Sequence, residues 1–323
     1  MKYIQLNNTK LARIALGCDH YGETIPESVA NKQLDIYLDS GGNLLDTAHV
    51  YGQDTVGGPS SSEQLLGRYL KANRNRKDVV LVSKGCHPPK EDMHASRIDH
   101  RAMVEDISRT LENLKTDYLD IWFFHRDDPE MPADEIIDMA QHLIDKKLVK
   151  YLGASNWTHR RIAQANAWAN ERKKTPFSIS QIQWSLAHCT PEQWGDDTLV
   201  CMTEEARLWY EEQQMPVMAF SPQAKGFFSK MIAGVGETLS DRAKRRFVTD
   251  LNLSRVPRVR SLAEELGVTP AAVVIAYITS QKNPSIAIAG SSKVEQITDT
   301  LNGADLTLTE EQLAYLVGES SKR

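Results

Sequence analysis

The chain has 323 residues, 41% of them hydrophobic and 25% charged, the balance of an ordinary globular protein with enough length for a large core. A net charge of −5, and short basic runs at 74–77 and 244–246 that contain no aromatics, argue against a general nucleic-acid binder. No apolar run approaches the ~20 residues of a membrane-spanning helix, so the expected partner is a small molecule and neither nucleic acid nor membrane.

The N-terminal stretch MKYIQLNNTKLARIALG is broken by Asn-Asn-Thr-Lys and reads as a β-hairpin, not as a signal peptide. Eight near-continuous apolar runs then follow in order: RIALGC, NLLDTA, DVVLVSK, YLDIWFFH, VKYLGAS, SISQIQW, PVMAFS and SIAIAGS. Runs that are apolar throughout, instead of alternating, mark parallel strands buried on both faces. Between them lie helical patterns. Val104, Ile107, Leu111 and Leu114 form one apolar stripe, and Ile136, Ala140 and Leu143 repeat it. Helices are also expected over 62–70, 161–169 and 203–213, the last with Thr203 as N-cap ahead of Glu204 and Glu205. Early strands start about 30 to 40 residues apart, the period of a βα unit. Eight such units predict one (β/α)₈ TIM barrel with an N-terminal β-hairpin, a single domain over 1–323. The longest irregular stretch expected is 225–258, after strand seven. A second, 52–61, follows Tyr51, and both would cover one barrel face. Cys18, Cys86, Cys189 and Cys201 form no CxxC pair, which suits reduced thiols in a cytoplasmic protein. No His or Cys spacing suggests a metal site.

In such a barrel the site lies at the carboxyl ends of the strands. Strand two ends in Asp46, with Tyr51 just beyond, strand three in Lys84 and strand four in His125. Singly, each has a bland alternative: a turn cap, a solvated strand end, a core histidine, a ring under a loop. Jointly they make a proton donor. A phenol is a poor acid at neutral pH, and an ammonium within reach stabilises its phenolate and lowers its pKa. A carboxylate keeps that cation charged, and a neutral histidine aims a substrate carbonyl at the phenol. This is machinery for reducing a carbonyl.

LLDTAHVYG, VLVSKG, YLDIWFFH, LGASN, ISQIQWSL, FSPQAKG and AGSSKVEQI together resemble the aldo-keto reductase family, in its order and over nearly the whole chain. The resemblance implies an NAD(P)H-dependent enzyme that reduces an aldehyde or ketone with a catalytic tetrad of Asp46, Tyr51, Lys84 and His125. It implies NADP as cofactor, with NAD the alternative, held without a Rossmann domain; no G-x-G-x-x-G follows a strand here. Carried over by motif, Ser155, Asn156 and Gln181 bond the nicotinamide carboxamide, and Phe220 stacks on its ring. Ser221, Gln223 and Lys225 or Gly226 touch the pyrophosphate. Gly290, Ser291, Ser292, Lys293 and Gln296 hold the adenosine ribose and its phosphate, as a helix N-terminus after strand eight favours.

Two departures stand out. Thr300 occupies a position where the family often has asparagine, and Ser62-Glu63 arrives roughly ten residues after Tyr51, later than in the family's usual short run. Asp19, His20, His49, His87, Arg126, Asp127, Trp157, Trp184 and His188 fall just beyond strand ends, a polar and aromatic rim suited to a hydroxylated or anionic carbonyl such as a sugar. Two other readings stay open: a cofactor-sensing regulatory subunit, as the resemblance allows, and an aldolase-type barrel with Lys84 as Schiff-base nucleophile.

Overall fold

The computed structural model describes residues 1–53 and 58–321. A short antiparallel hairpin, β1 (Tyr3–Leu6) and β2 (Thr9–Ala12), turns at Asn7, whose φ of 47° suits asparagine. Eight parallel strands follow: β3 (Ile14–Gly17), β4 (Leu44–Asp46), β5 (Val80–Gly85), β6 (Leu119–Phe124), β7 (Val149–Ser155), β8 (Phe177–Gln183), β9 (Val217–Phe220) and β10 (Ser285–Ala289). Each pairs with the next, and β10 pairs back onto β3, so the sheet closes. The hairpin and the (β/α)₈ barrel are both as the sequence predicts.

Alternation along a strand decides which side chains point into the barrel. The interior is filled by Leu44, Val80, Val82, Ile121, Phe123, Ile179, Met218, Ile286 and Ile288. Ile4, Leu6, Leu11 and Ala12 of the hairpin pack against this set and plug its amino-terminal end. Stepping two residues further along four of these columns gives Asp46 above Leu44, Lys84 above Val82, His125 above Phe123 and Gln181 above Ile179. The period of the strands therefore converges these four polar side chains on one mouth.

The outward faces pack on helices. His100–Leu114 is capped by Asp99, which accepts from Ala102 N, and buries Met103, Ile107, Thr110 and Leu114. Val104 and Leu111 of the expected stripe flank that face and are partly buried. Thr203 caps Glu204–Gln213 by accepting from Ala206 N, as predicted. Thr158 caps His159–Glu171 by accepting from Arg161 N.

One expectation fails. The stretch 225–258 is largely helical: Phe227–Ile232, Asp241–Phe247 and the start of Asp250–Leu266, which accommodates Pro257. Phe227–Ile232 and Asp241–Phe247 are too short for periodicity to register; Ser240 fixes the start of the second by accepting from Ala243 N, and Thr249 starts the long helix by accepting from Asn252 N. Residues 54–57 of the stretch after Tyr51 lie outside the described residues. No single described helix is long and apolar enough to cross a membrane.

Candidate active site

Lys84 is fully buried. Its ammonium donates to Asp46 Oδ2 at 2.8 Å, to the Thr47 carbonyl at 2.8 Å and to Tyr51 Oη at 3.3 Å. Three protons meet three acceptors, which is what makes a buried cation tolerable. Burial works to lower the Lys84 pKa, but Asp46 and Tyr51 outweigh it and hold the ammonium above the ordinary lysine range. Asp46 sits 3% exposed at the end of β4 and also accepts from Gln181 Nε2 at 2.8 Å. Burial pushes its carboxyl up against the opposing pull of Lys84 and Gln181.

Tyr51 is placed by a tight turn after β4, with its N–H on the Ala48 carbonyl at 3.1 Å and its own carbonyl taking the Ser60 hydroxyl at 2.7 Å. Gly52 makes that turn possible. Its φ is +67°, and a Cβ there would lie 1.9 Å from Ser61 Oγ. Ser60 also caps Ser61–Asn73, so the loop returning from Tyr51 is fastened where the helix begins. Glu63, two residues into that helix and fully buried, accepts from Ser83 Oγ, Thr110 Oγ1 and Asn113 Nδ2, locking the helix to the strand that carries Lys84.

The phenol departs from the sequence expectation. Burial dominates and pushes Tyr51 up to about 12; Lys84 pulls it down without prevailing. The hydroxyl therefore keeps its proton at neutral pH, and the Lys84 charge acts on the phenolate only once a proton has left.

His125 follows β6, its N–H on the Gly85 carbonyl at 2.9 Å. Its ring stands edge-on to Tyr51 at 5.8 Å and to His87 at 4.6 Å. Burial, then His87, Arg126 and Lys84, hold it far below the usual imidazole range, so it is neutral. Its Nδ1 is buried without a hydrogen-bond partner. His87 is also pushed down, to about 4, by burial and then by Arg126. Between pH 6.5 and 4 the unfolded chain takes up these protons and the folded one does not, so stability falls as pH falls through that window. The expected loss is about 1.4 kcal/mol per pH unit for each histidine. Urea midpoints should drop from pH 7 to pH 5, and less steeply in His87→Asn; equal slopes in the two proteins would refute the assignment.

A cavity of about 880 Å³ opens above the quartet and runs between β9 and β10. Tyr51, Asp46 and His125 line it, while Lys84 lies beneath. Ser155, Asn156, Gln181, Phe220, Ser221, Gln223, Lys225, Gly226, Gly290, Ser291, Ser292 and Gln296 line it as well, so the sequence-predicted cofactor residues converge. Lys293 alone among them is not on the wall; it is exposed at the N-terminus of Val294–Asn302.

Several of these groups already have partners. Asn156, at φ 58°, donates to the His125 carbonyl at 3.2 Å and accepts from Val200 N at 3.4 Å, fixing the loop beside His125. Gln223 donates to Thr300 Oγ1 at 3.1 Å, and Thr300 is buried beneath the cavity wall. The threonine at the departure from the family pattern thus supports Gln223.

The cavity fits an extended dinucleotide. Ser221, Ala224, Lys225 and Gly226 all have positive φ, and three of these residues are not glycine. Such strain in one short loop needs a functional return, and a run of this kind turns backbone N–H groups toward a ligand. Gly290 approaches the Gly17 carbonyl, 3.1 Å from where a Cβ would sit, which keeps the wall open beside Ser291.

The predicted rim divides. Asp19, His20, His87 and Arg126 line the cavity. Trp157 and Trp184 are core residues, Asp127 pairs with Arg161 at 2.9 Å, and His188 is exposed beyond the cavity wall. His49 is 2% exposed and lies outside this cavity. Sequence reading missed Trp194, whose ring meets Phe220 edge-on at 5.7 Å with Arg246 3.8 Å above it. A signal existed: Thr190-Pro-Glu-Gln193 forms a capping box that places Pro191–Trp194 on a helical turn. It also missed Gln33, which takes the Tyr21 hydroxyl at 3.0 Å and donates to the Ser291 carbonyl at 2.9 Å.

A closed parallel barrel with this quartet at its carboxyl mouth defines a class, the carbonyl-reducing oxidoreductases. The model of the Aldo/keto reductase family matches residues 13–318, and the chain belongs to that family, whose members are NAD(P)H-dependent oxidoreductases. It is 25% identical to the uncharacterized oxidoreductase YrpG of Bacillus subtilis (strain 168), over 98% of this chain and 95% of the relative. It is 26% identical to aldo-keto reductase str7 of Strobilurus tenacellus, over 91% and 82%. It is 26% identical to the aryl-alcohol dehydrogenase [NADP(+)] of Phanerodontia chrysosporium, over 91% and 76%.

Proposed function

We propose that residues 1–323 form one barrel domain that reduces polar aldehydes or ketones with NADPH, Tyr51 supplying the proton. The observation that carries this reading is the buried Lys84 ammonium, ion-paired to Asp46 at 2.8 Å and 3.3 Å from the Tyr51 hydroxyl at the mouth of the cavity. When bound, the nicotinamide dinucleotide supplies the hydride. The protein does the rest: His125, neutral, aligns the substrate oxygen, and Tyr51 Oη gives up its proton as charge builds there. Lys84 stabilises the phenolate left behind, and Asp46 holds Lys84 in place.

A Schiff-base lysine must lose its proton to attack, whereas Lys84 is held as ammonium by its partners. This observation disfavours the aldolase reading. Lys225 and Lys230 line the cavity beside the positive-φ turn at 221–226 and supply charge for a phosphate-bearing cofactor, NADP and NAD alike; the choice of NADP follows the family resemblance and the relative named for NADP(+). One relative is named for aryl alcohols and NADP(+); at 26% identity we carry over the reaction class and leave the substrate open. All four cysteines are buried free thiols, in keeping with a cytoplasmic enzyme.

The test is fluorescence titration with NADPH and NADH, followed by a panel of sugar, alkyl and aryl aldehydes. Tighter NADPH binding and turnover of the polar aldehydes support the reading; absence of turnover on the whole panel overturns it. Phe220→Ala, which removes a stacking platform worth about 0.5–1.5 kcal/mol, should weaken NADPH roughly 2- to 12-fold.

A further inference from the structure

The helix Glu27–Asp39 buries Ala30, Leu34 and Tyr37 as an apolar stripe, and Gln33 stands in the middle of it, 1% exposed. A primary amide in such a place costs stability unless both of its ends are bonded. Here both are. Gln33 Oε1 accepts the Tyr21 hydroxyl at 3.0 Å, and Nε2 donates to the Ser291 carbonyl at 2.9 Å. That carbonyl can only accept, which fixes the way round the amide must sit. Tyr21 is anchored in turn: it is buried, and its carbonyl takes the Ser61 hydroxyl at 2.9 Å.

What Gln33 grips is the turn between β10 and the helix Val294–Asn302, which packs beside Glu27–Asp39. Gly290, Ser291 and Ser292 of that turn line the main cavity, whereas Gln33 does not. Ser291 Oγ bonds within the turn, donating to the Lys293 carbonyl at 2.6 Å and accepting from Lys293 N at 3.4 Å. Among the described residues, Gln33 makes the one side-chain hydrogen bond that reaches 290–293 from elsewhere in the chain. The consequence runs through the peptide plane. The bond after Ser291 is trans, so a carbonyl held toward Gln33 turns the Ser292 N–H to the opposite side. That N–H stands just ahead of a helix N-terminus, where backbone donors and the helix dipole favour a phosphate.

We propose that Gln33, which touches no ligand, is a positioning residue for the adenosine half of the cofactor: it holds the Ser291 carbonyl back and so keeps the Ser292 N–H free for that half's phosphate. The inference rests on the NADPH reading and adds a residue outside the cavity that sets the affinity for one part of the cofactor.

The experiment titrates the wild type, Gln33→Met and the pair Tyr21→Phe/Gln33→Met with NADPH by fluorescence. The same three proteins are titrated with the adenosine bisphosphate that makes up the adenosine half of NADPH, read as displacement of the dinucleotide. One lost hydrogen bond corresponds to roughly 2- to 12-fold, so Gln33→Met should weaken both nucleotides by a factor in that range. With NADPH saturating, kcat and the KM for the aldehyde should stay within about twofold of wild type. The paired variant removes the Tyr21 hydroxyl that the single one strands, so it guards against misfolding and should show the same loss. Unchanged affinity for both nucleotides overturns the proposal. So does a loss for NADPH that the bisphosphate does not share, or a rise in aldehyde KM as large as the loss of NADPH affinity, the mark of a general disturbance of the fold. If the wild type binds NADPH and the bisphosphate fails to displace it, the adenosine half has no site on this turn and the proposal alone falls. If the wild type binds no NADPH, the cofactor reading falls and this inference with it.

Discussion

Tyr51→Phe abolishes carbonyl reduction while NADPH affinity stays within about threefold of wild type. The substitution removes one oxygen and leaves the ring, so the edge contact with His125 survives. What goes is the proton aimed at the developing alkoxide, a contribution of about 10²- to 10⁴-fold for a positioned general acid. The Lys84 ammonium loses one of its three acceptors but keeps Asp46 and Thr47, so the site stays folded. The pH profile of the wild type follows from the same geometry. Reduction requires the protonated phenol, which burial holds up to about 12, so kcat/KM on the acceptor side stays flat through neutral pH and falls only in strongly alkaline solution. Oxidation of the alcohol, which needs the phenolate, should rise over the same alkaline range. Steady-state kinetics with fluorescence titration checks all of this. A variant retaining more than a few per cent of wild-type kcat would remove Tyr51 from the role.

The barrel and its mouth were legible for one physical reason. A parallel strand covered on both faces needs apolar residues at every position, so a single carboxylate or lysine at its end stands out. Asp46 after two leucines, Lys84 after Val-Leu-Val-Ser and His125 after Trp-Phe-Phe interrupt runs that would otherwise continue. The helical stretch after β9 was illegible where its helices are short: Phe227–Ile232 and Asp241–Phe247 are held by packing, and the second by its Ser240 cap, instead of by a repeating apolar stripe. Trp157 and Trp184 were misplaced on the rim for a related reason. A tryptophan past a strand end looks the same in sequence whether it faces ligand or core, and here Trp157 turns inward to donate to the Arg126 carbonyl at 3.1 Å. The net direction of the Tyr51 shift was also beyond the sequence. The sequence shows that a cation and a phenol come together; how completely water is excluded is a property of the assembled mouth, and there exclusion outweighs attraction.

Lys84→Met should be nearly as damaging to catalysis as loss of the phenol, and far more damaging to the fold. It strands the Asp46 carboxylate 3% exposed with only the Gln181 amide donating to it, and breaking one side of a buried pair costs about 3–5 kcal/mol. The sign of the pH effect follows. Without Lys84 the carboxyl is pushed further up, because burial already raises it and its main opposing influence has gone. The folded variant then binds a proton more readily than its unfolded chain, so its stability relative to wild type improves as pH falls from the raised carboxyl value toward the ordinary carboxylate range, and the gain is complete once pH lies below that range. Adding Asp46→Asn removes the stranded charge altogether. The double variant should regain much of the lost stability, as replacing both members of a buried ion pair often does. It should regain none of the activity, because no cation remains to stabilise the Tyr51 phenolate. Urea denaturation of the two single variants and the double, read beside aldehyde turnover, separates the parts. Recovery of turnover along with stability would show that the ion pair serves only to hold the barrel mouth together, and that the proton on Tyr51 needs no help in leaving.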